Sequence, residues 1–423
     1  MWNLTGVCCS AERWCHQVAI DNDENLARLE RERFDVAVVD VLYFSKCVTL
    51  IPHRLRIPHI TYSVSVDPLD VRVPWLPSFV PSLVFPLSEQ MGFVERVRNT
   101  LGCLVFSFIL PLAVAPLTPE VREKFGRYGS FRSLDELVSK SAMWFLTIDH
   151  IVDYPHPMMP NMVDIAGVTV KRSTDKLPPG IENFIDGAAN GVVLMTFGTV
   201  SANLPRHVVE KFSSAFGRLA GYRVLWRLNN SDGVKLPDNV WIAQWLPQSD
   251  ILAHRSVKLF ITHCGNNGQY EAVYHAVPMI GFPVLGDQFH NAARLDYKGY
   301  GLSMNLLDFT ADQLLDNIRK ILADASYAQR VEKASAVLRS QAQSPVERAT
   351  FWIEHVCRFG GDHLRSAGND LPLYAYLMLD VIAFIATLLL LVVCLLCRLI
   401  TFSANNCCLR RRATSNDSRK KNE

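Results

Sequence analysis

The stretch LFITHCGNNGQYEAVYHAVPMIGFPVLGDQFHN, Leu259 to Asn291, holds two short apolar runs with a helix-like segment between them. The first run ends in His263 and passes into a glycine-containing turn. Glu271 follows about one turn into the helical segment, and the second apolar run leads to Asp287-Gln288. Short buried runs that alternate with helices give a parallel sheet with helices on its faces. The same alternation extends in both directions. Upstream lie the strand GVVLMTFGT, the helix RHVVEKFSSAFGRLAG and the strands YRVLWRL and VWIAQWLP; downstream lies the helix NAARLDYKG. From about Pro178, after the polar linker KRSTDKLPPG, the chain therefore reads as a doubly wound α/β domain.

In an open α/β sheet, ligands bind beyond the carboxyl ends of the strands. His263, Asn267, Glu271, Asp287 and Gln288 all fall there. The turn HCGNNG, with Gly265 and Gly268, hands the chain to a helix whose free N–H groups and dipole suit a diphosphate. His263 can donate to the same phosphates. The Glu271 carboxylate can accept from two adjacent ribose hydroxyls, and Asp287-Gln288 supply an acceptor and an amide for sugar hydroxyls. Trp245 and Gln248 in WLPQ offer a flat ring for stacking and an amide for a pyrimidine edge. Thr199 ends the domain's first strand near the same rim. Each residue alone fits a plain structural role, the tryptophan as core and the glutamate as a solvated helix face. Their order and spacing set them apart.

The rest of the chain frames this domain. It has 423 residues and a net charge of +2, enough for two domains and with no basic excess to suggest nucleic acid. Near the end, VIAFIATLLLLVVCLLC, Val381 to Cys397, extends to a span over 377–400. That is long enough to cross a bilayer. The tail beyond it is basic, which places it in the cytosol and the preceding chain on the other side. Cys407-Cys408 beside the span are candidates for palmitoylation or ordinary tail residues. The remaining cysteines are scattered, so neither a zinc site nor a disulfide framework is expected. In the first part, ENLARLERERF reads as a helix, while FDVAVVD (ending in Asp40) and IPHITYSVS read as strands. Prolines 74, 77, 81 and 86 mark an irregular loop. Leu101 to Leu117 is apolar but interrupted by Pro111 and Pro116, and is not expected to be a second span.

The segment WLPQSDILAHRSVKLFITHCGNNGQYEAVYHAVPMIGFPVLGDQFHNAARLDYKGYG resembles the signature of the UDP-glycosyltransferases, and is most similar to that of the animal UDP-glucuronosyltransferases. FDVAVVD, RVRNTLG, PHPMMPNMVDIAGV, ATFWIEHVCRFGGDHLR and the single C-terminal span extend the likeness over nearly the whole chain. The resemblance implies two facing Rossmann-like domains of GT-B type: an acceptor-binding domain over 1–165 and a UDP-sugar domain over 180–345. Closing helices over 346–376, a transmembrane helix over 377–400 and a cytosolic tail over 401–423 would follow. It implies that Trp245 and Gln248 hold uracil, Glu271 the ribose, His263 and Asn267 the diphosphate, and Asp287 and Gln288 the sugar. The UDP-sugar is then a co-substrate, with no further cofactor and no metal. Cys264 stands where the family usually has glycine. The ending KKNE matches a dilysine signal for the endoplasmic reticulum membrane, with the catalytic part lumenal. Asn3-Leu4-Thr5 and Asn229-Asn230-Ser231 are glycosylation triplets if lumenal.

The family's reaction inverts the sugar. A histidine early in the N-terminal domain takes the acceptor's proton, and an aspartate orients it. Asp40 matches that aspartate. The histidine has no match, and His16 does not fit the pattern. MWNLTGVCCSAERWCHQ also lacks the basic start and apolar run of a signal peptide. Both point to a chain that begins inside the N-terminal domain, two or three βα units late at roughly 30 residues per unit. Two readings follow. One is a membrane-bound transferase that conjugates a sugar, glucuronate first, to small lipophilic acceptors. The other is a non-catalytic relative that pairs with full-length enzymes and modulates them. Transfer to a lipid is a third, weaker reading.

Overall fold

The computed structural model describes residues 14–41, 45–65, 68–74, 76–83, 85–105, 107, 118–172, 176–198, 204–231 and 233–420. Met1–Arg365 forms one compact unit and Ser366–Glu423 a second. The first unit holds two parallel sheets. Four strands, β1 (Ala37–Asp40), β2 (His59–Ser63), β3 (Met143–Leu146) and β4 (Met162–Asp164), lie in sequence order. Six strands form the other sheet: β5 (Gly191–Thr196), β6 (Tyr222–Arg227), β7 (Val240–Ala243), β8 (Val257–Thr262), β9 (Met279–Gly281) and β10 (Gly301–Ser303), in the order β10-β9-β8-β5-β6-β7. Strand order reverses between β5 and β8, which is the switch point of a doubly wound fold.

In the six-stranded sheet β5 is buried along its whole length and β8 at every residue but Lys258, so both are largely apolar rather than alternating, while β6 carries Arg223 and Arg227. Successive residues of β5 still divide by face. Val192 and Leu194 join one core with Phe260, Tyr270 and Val273, while Val193 and Met195 join the other with Phe212, Trp226, Ile261 and Phe282. Burying side chains of this size contributes about 1.5–3 kcal/mol each. The strand ends are therefore held rigidly, and so are the turns that leave them.

The four-stranded sheet is less enclosed. Its inner faces hold Trp144 and Leu146 on one side and Met143, Phe145 and Val163 on the other, where Val356 of the helix Pro345–Phe359 also packs. β1 lies at its edge, and Val38 is 49% exposed. β3, β4 and β10 are additions to the sequence reading. Each is only three or four residues long, too short for a period to show. Cys15 and Cys47 are disulfide-bonded, which corrects the expectation drawn from the scattered cysteines. The helical turn beginning at His16 packs against the turn Lys46–Thr49, bringing the two Cα atoms to 5.8 Å, a separation that a disulfide spans without strain. Nothing in the 32-residue sequence separation signals it.

In the second unit, a helix over Leu379–Lys420 contains an apolar stretch, Leu379–Ala404, long enough to cross a membrane. Of the apolar run Leu101–Leu117, the helix Phe93–Leu104 covers the beginning, and residues 106 and 108–117 lie outside the description. So do Asn3-Leu4-Thr5 and the last three residues.

Candidate active site

The turn after β8 sits at the switch point, beside the end of β5. Its His263 ring is threaded between two glycines. A Cβ on Gly198 would lie 3.0 Å from the ring's Cε1, and one on Gly265 2.6 Å from Nε2. Gly198 also has φ +67°, so glycine is required there on both counts. Burial lowers the His263 pKa, against the opposing influence of Asp287 and the Thr196 backbone. The ring is thus neutral at neutral pH, with one N–H to donate. Thr199 lies outside the described residues.

Cys264 follows with φ +62°. A side chain in this left-handed region costs on the order of 1 kcal/mol. The compensation is steric: Cys264 is fully buried, and its Sγ occupies the space that a Cβ on Gly281 would need. The backbone therefore keeps the turn that glycine would give. Gly265 then caps the helix Asn266–Tyr274 without any side-chain acceptor over its first N–H groups. That end is a ready anion site.

The two asparagines of the turn separate. Asn267 is exposed on the open side of the helix. Asn266 is buried; its amide donates to the Thr147 carbonyl at 3.0 Å, and its Oδ1 accepts from Arg294 at 2.6 Å. Further along, Gln248 donates to Glu271 across the gap between two helices, so these two candidates are neighbours. Gly268 lies against this contact, where a Cβ would meet Gln248 Nε2 at an ordinary contact distance of 3.5 Å. Burial raises the Glu271 pKa, partly offset by Gln248. Trp245 stands 70% exposed with Arg227 stacked on one face at 5.0 Å. An exposed ring already stiffened on one side suits stacking of a base.

Asp287 accepts from Asn291 at 2.7 Å, and the same amide donates to the Cys264 carbonyl at 2.9 Å. One side chain thus ties both rims of the site together. Gln288 is buried, and its Oε1 accepts from the Val284 and Leu285 amides at 2.8 and 3.0 Å. Its oxygen shapes the loop, which leaves Nε2 as its group for a ligand. Asp40 stands apart, at the carboxyl end of the edge strand β1, paired in register with Tyr62. Burial raises its pKa, and among the described residues no histidine bonds its carboxylate. His16 instead pairs with Asp21 at 2.9 Å.

Beneath these groups lies a buried network that the sequence reading missed. Arg294 donates to Asp153 at 2.6 Å, to Gln269 at 2.8 Å and to Asn266. His290 meets the other oxygen of Asp153 at 3.3 Å. Asp149 receives Gln341, and its backbone N–H donates to the Tyr270 hydroxyl. The segment 147–154 is thereby fastened to the helices that carry the candidate site. The available signal was a lone arginine on the apolar face of NAARLDYKG.

Residues 3–413 match the model of the family described as UDP-glucoronosyl and UDP-glucosyl transferase. The chain belongs to this UDP-glycosyltransferase family. It is 32% identical over 396 residues to UDP-glucuronosyltransferase 1-2 of Rattus norvegicus, covering 92% of this chain and 73% of the relative. It is also 32% identical to 2-hydroxyacylsphingosine 1-beta-galactosyltransferase of Rattus norvegicus, over 87% of this chain and 68% of that one. Among solved structures, spinosyn forosaminyltransferase SpnP superposes with a TM-score of 0.58 at 19% identity, over 81% of this chain and 82% of that one. The fold is of the GT-B class, and this UDP-glycosyltransferase is a glucuronosyltransferase-like enzyme that draws its sugar from a UDP-sugar.

Proposed function

We propose that this UDP-glycosyltransferase conjugates glucuronate to hydroxyls of small lipophilic acceptors, with inversion at the anomeric carbon, on the lumenal side of the endoplasmic reticulum membrane. The observation that carries this reading is the convergence of His263, the open helix end at Gly265, Glu271 with Gln248, and Asp287 around one switch point. The diphosphate rests on the helix end and His263. Glu271 accepts from the ribose, Trp245 stacks on uracil, and Asp287 with Gln288 Nε2 holds the sugar. Negative charge that develops on the departing UDP is met by backbone N–H groups already in place, so no dipoles need to reorganise as the bond breaks. Asp40 stands where the family's orienting aspartate is expected, while the base histidine it would orient has no match in this sequence. The span over Leu379–Ala404 supports membrane attachment.

Galactose is the competing sugar, favoured by the likeness to a sphingolipid galactosyltransferase. The test is transfer by membranes holding the full chain, with a phenol acceptor and either UDP-glucuronate, UDP-glucose or UDP-galactose. Product with UDP-glucuronate alone is expected. Product with UDP-galactose alone would transfer the assignment to that sugar, and no product with any donor would favour a non-catalytic partner of related enzymes.

A further inference from the structure

The helix Pro345–Phe359 ends in a turn that brings two histidine rings together at the surface. Val356 is buried against the four-stranded sheet, with Trp352 and Ile353 packed beside it. Gly360 then ends the helix at φ +70° and ψ −172°, a backbone region essentially restricted to glycine. Gly361 lies on Ala142, where a Cβ would come within 2.6 Å of the carbonyl oxygen. The short turn Asp362–Leu364 follows, and Leu364 returns to the core that holds Val356. This reversal sets His363 Nε2 at 3.0 Å from His355 Nε2. The His355 ring is held by its neighbours: the Trp352 and Phe359 centroids lie 5.1 Å from its own. His355 is half-buried and His363 exposed, so solutes in water can reach the pair.

The chemistry follows from two like atoms facing each other. As a hydrogen bond, one ring must carry its proton on Nε2 and the other on Nδ1. With both protons on Nδ1, two lone pairs face each other and repel unless a cation joins them. A neutral imidazole nitrogen is the commonest protein ligand for a metal. With metal–nitrogen bonds of about 2.0–2.1 Å, the 3.0 Å separation subtends about 95° at the ion. A tetrahedral ion would set the two nitrogens about 3.4 Å apart. The pair therefore suits adjacent corners of a square-planar or tetragonal ion, the preference of Cu²⁺ and Ni²⁺. Among the described residues no third histidine, cysteine or carboxylate completes a cluster. Glu354 accepts from Arg358 at 3.3 Å, and Cys357, two residues from His355, faces another way on the helix.

We propose that His355 and His363 form a two-ligand surface site for a divalent transition ion of tetragonal preference, with water in its other positions. The ion ties the end of the closing helix to the turn that follows it. The site uses none of the groups given to UDP or to the sugar, so it stands whether or not the chain transfers a sugar.

The test is calorimetric titration of Ni²⁺ into the untagged full chain in detergent, after treatment with a chelator. Ni²⁺ serves as the probe because, unlike Cu²⁺, it does not oxidise the exposed Cys357 thiol. Cooperative thermal unfolding without metal is the control for folding, so the result does not depend on UDP binding. One ion per chain is expected, with affinity at least tenfold lower in His355→Gln and in His363→Gln, since each variant leaves a single ligand. Ni²⁺ should also raise the melting temperature of the unaltered chain and leave that of His363→Gln unchanged. If His355→Gln fails to fold, His363→Gln decides alone, because its side chain is exposed. No Ni²⁺ binding by the unaltered chain overturns the proposal and leaves the pair a hydrogen bond. Undiminished affinity in His363→Gln, or in the double variant, overturns it by placing the ion elsewhere.

Discussion

The two sheets of this UDP-glycosyltransferase present their ligand-facing groups in different ways. On the six-stranded sheet, the candidates lie at or within one turn of a strand or helix end. There, buried strands fix the backbone, and a second layer of side chains fixes the rims. On the four-stranded sheet, Asp40 ends an edge strand, and a cavity past the ends of β2 and β3, at Val64 and Ile148, is walled by an irregular proline-containing loop. The difference teaches where precision comes from. A diphosphate is the same for every donor and suits rigid strand ends, whereas acceptors differ and suit loops. Between the two stands the Arg294–Asp153 network, which anchors the segment leaving β3 to the helices after β8 and β9.

The contrast can be broken first at that network. Arg294→Met should destabilise the fold by about 3–5 kcal/mol, because it leaves the buried Asp153 carboxylate without its guanidinium partner. Thermal or urea unfolding of the full chain measures this. The double change Arg294→Met with Asp153→Leu should recover most of the loss, since removing both partners avoids the stranded charge.

The four-stranded sheet has its own pH dependence. Burial, with the Arg365 charge adding to it, pushes His59 down to about 4. The unfolded chain takes up this proton from about pH 6.5 downward, while the folded chain does so only near 4. This group's contribution is therefore intact above pH 6.5 and is lost as pH falls toward 4, by about 3 kcal/mol in total. His59→Gln should flatten the fall between melts recorded at neutral and acid pH. An unchanged slope would assign the acid sensitivity elsewhere.

Smaller effects sharpen the six-stranded side. Trp245→Ala should weaken UDP binding about tenfold through lost stacking and leave the melting temperature unchanged, because the ring is 70% exposed. Cys264→Gly should shift stability by no more than about 1 kcal/mol. It relieves the left-handed backbone but empties the space beside Gly281. Gly281→Ala alone should be clearly worse than the pair Cys264→Gly with Gly281→Ala, a difference that a double-mutant unfolding cycle reads directly.

Much of the six-stranded sheet was legible in the sequence because its signals are local. β5 is a continuous apolar run and β6 and β8 are largely apolar, and His263, Glu271 and Asp287 follow strand ends at short, fixed distances. What stayed hidden is non-local. Nothing in the spacing of Asp153 and Arg294 tells that they touch across 141 residues, nor that Asn266 rather than Asn267 turns inward. The sequence reading gave the Gln288 amide to sugar hydroxyls, while the fold uses its oxygen in its own loop. Cys264 appeared as a defect in a glycine turn; its partner Gly281 lies one strand away and becomes visible only when β8 and β9 are paired. Asp40 was placed correctly at its strand end.

The central claim is that UDP is held at the β5–β8 switch point, and calorimetric titration of UDP into the full chain tests it most directly. The account predicts one site that Glu271→Ala weakens by at least tenfold, as expected for hydrogen bonds to a charged acceptor worth about 1.5–3 kcal/mol, while Asp40→Ala leaves it unchanged. Equal UDP affinity in the unaltered chain and Glu271→Ala, or a loss with Asp40→Ala instead, would contradict it.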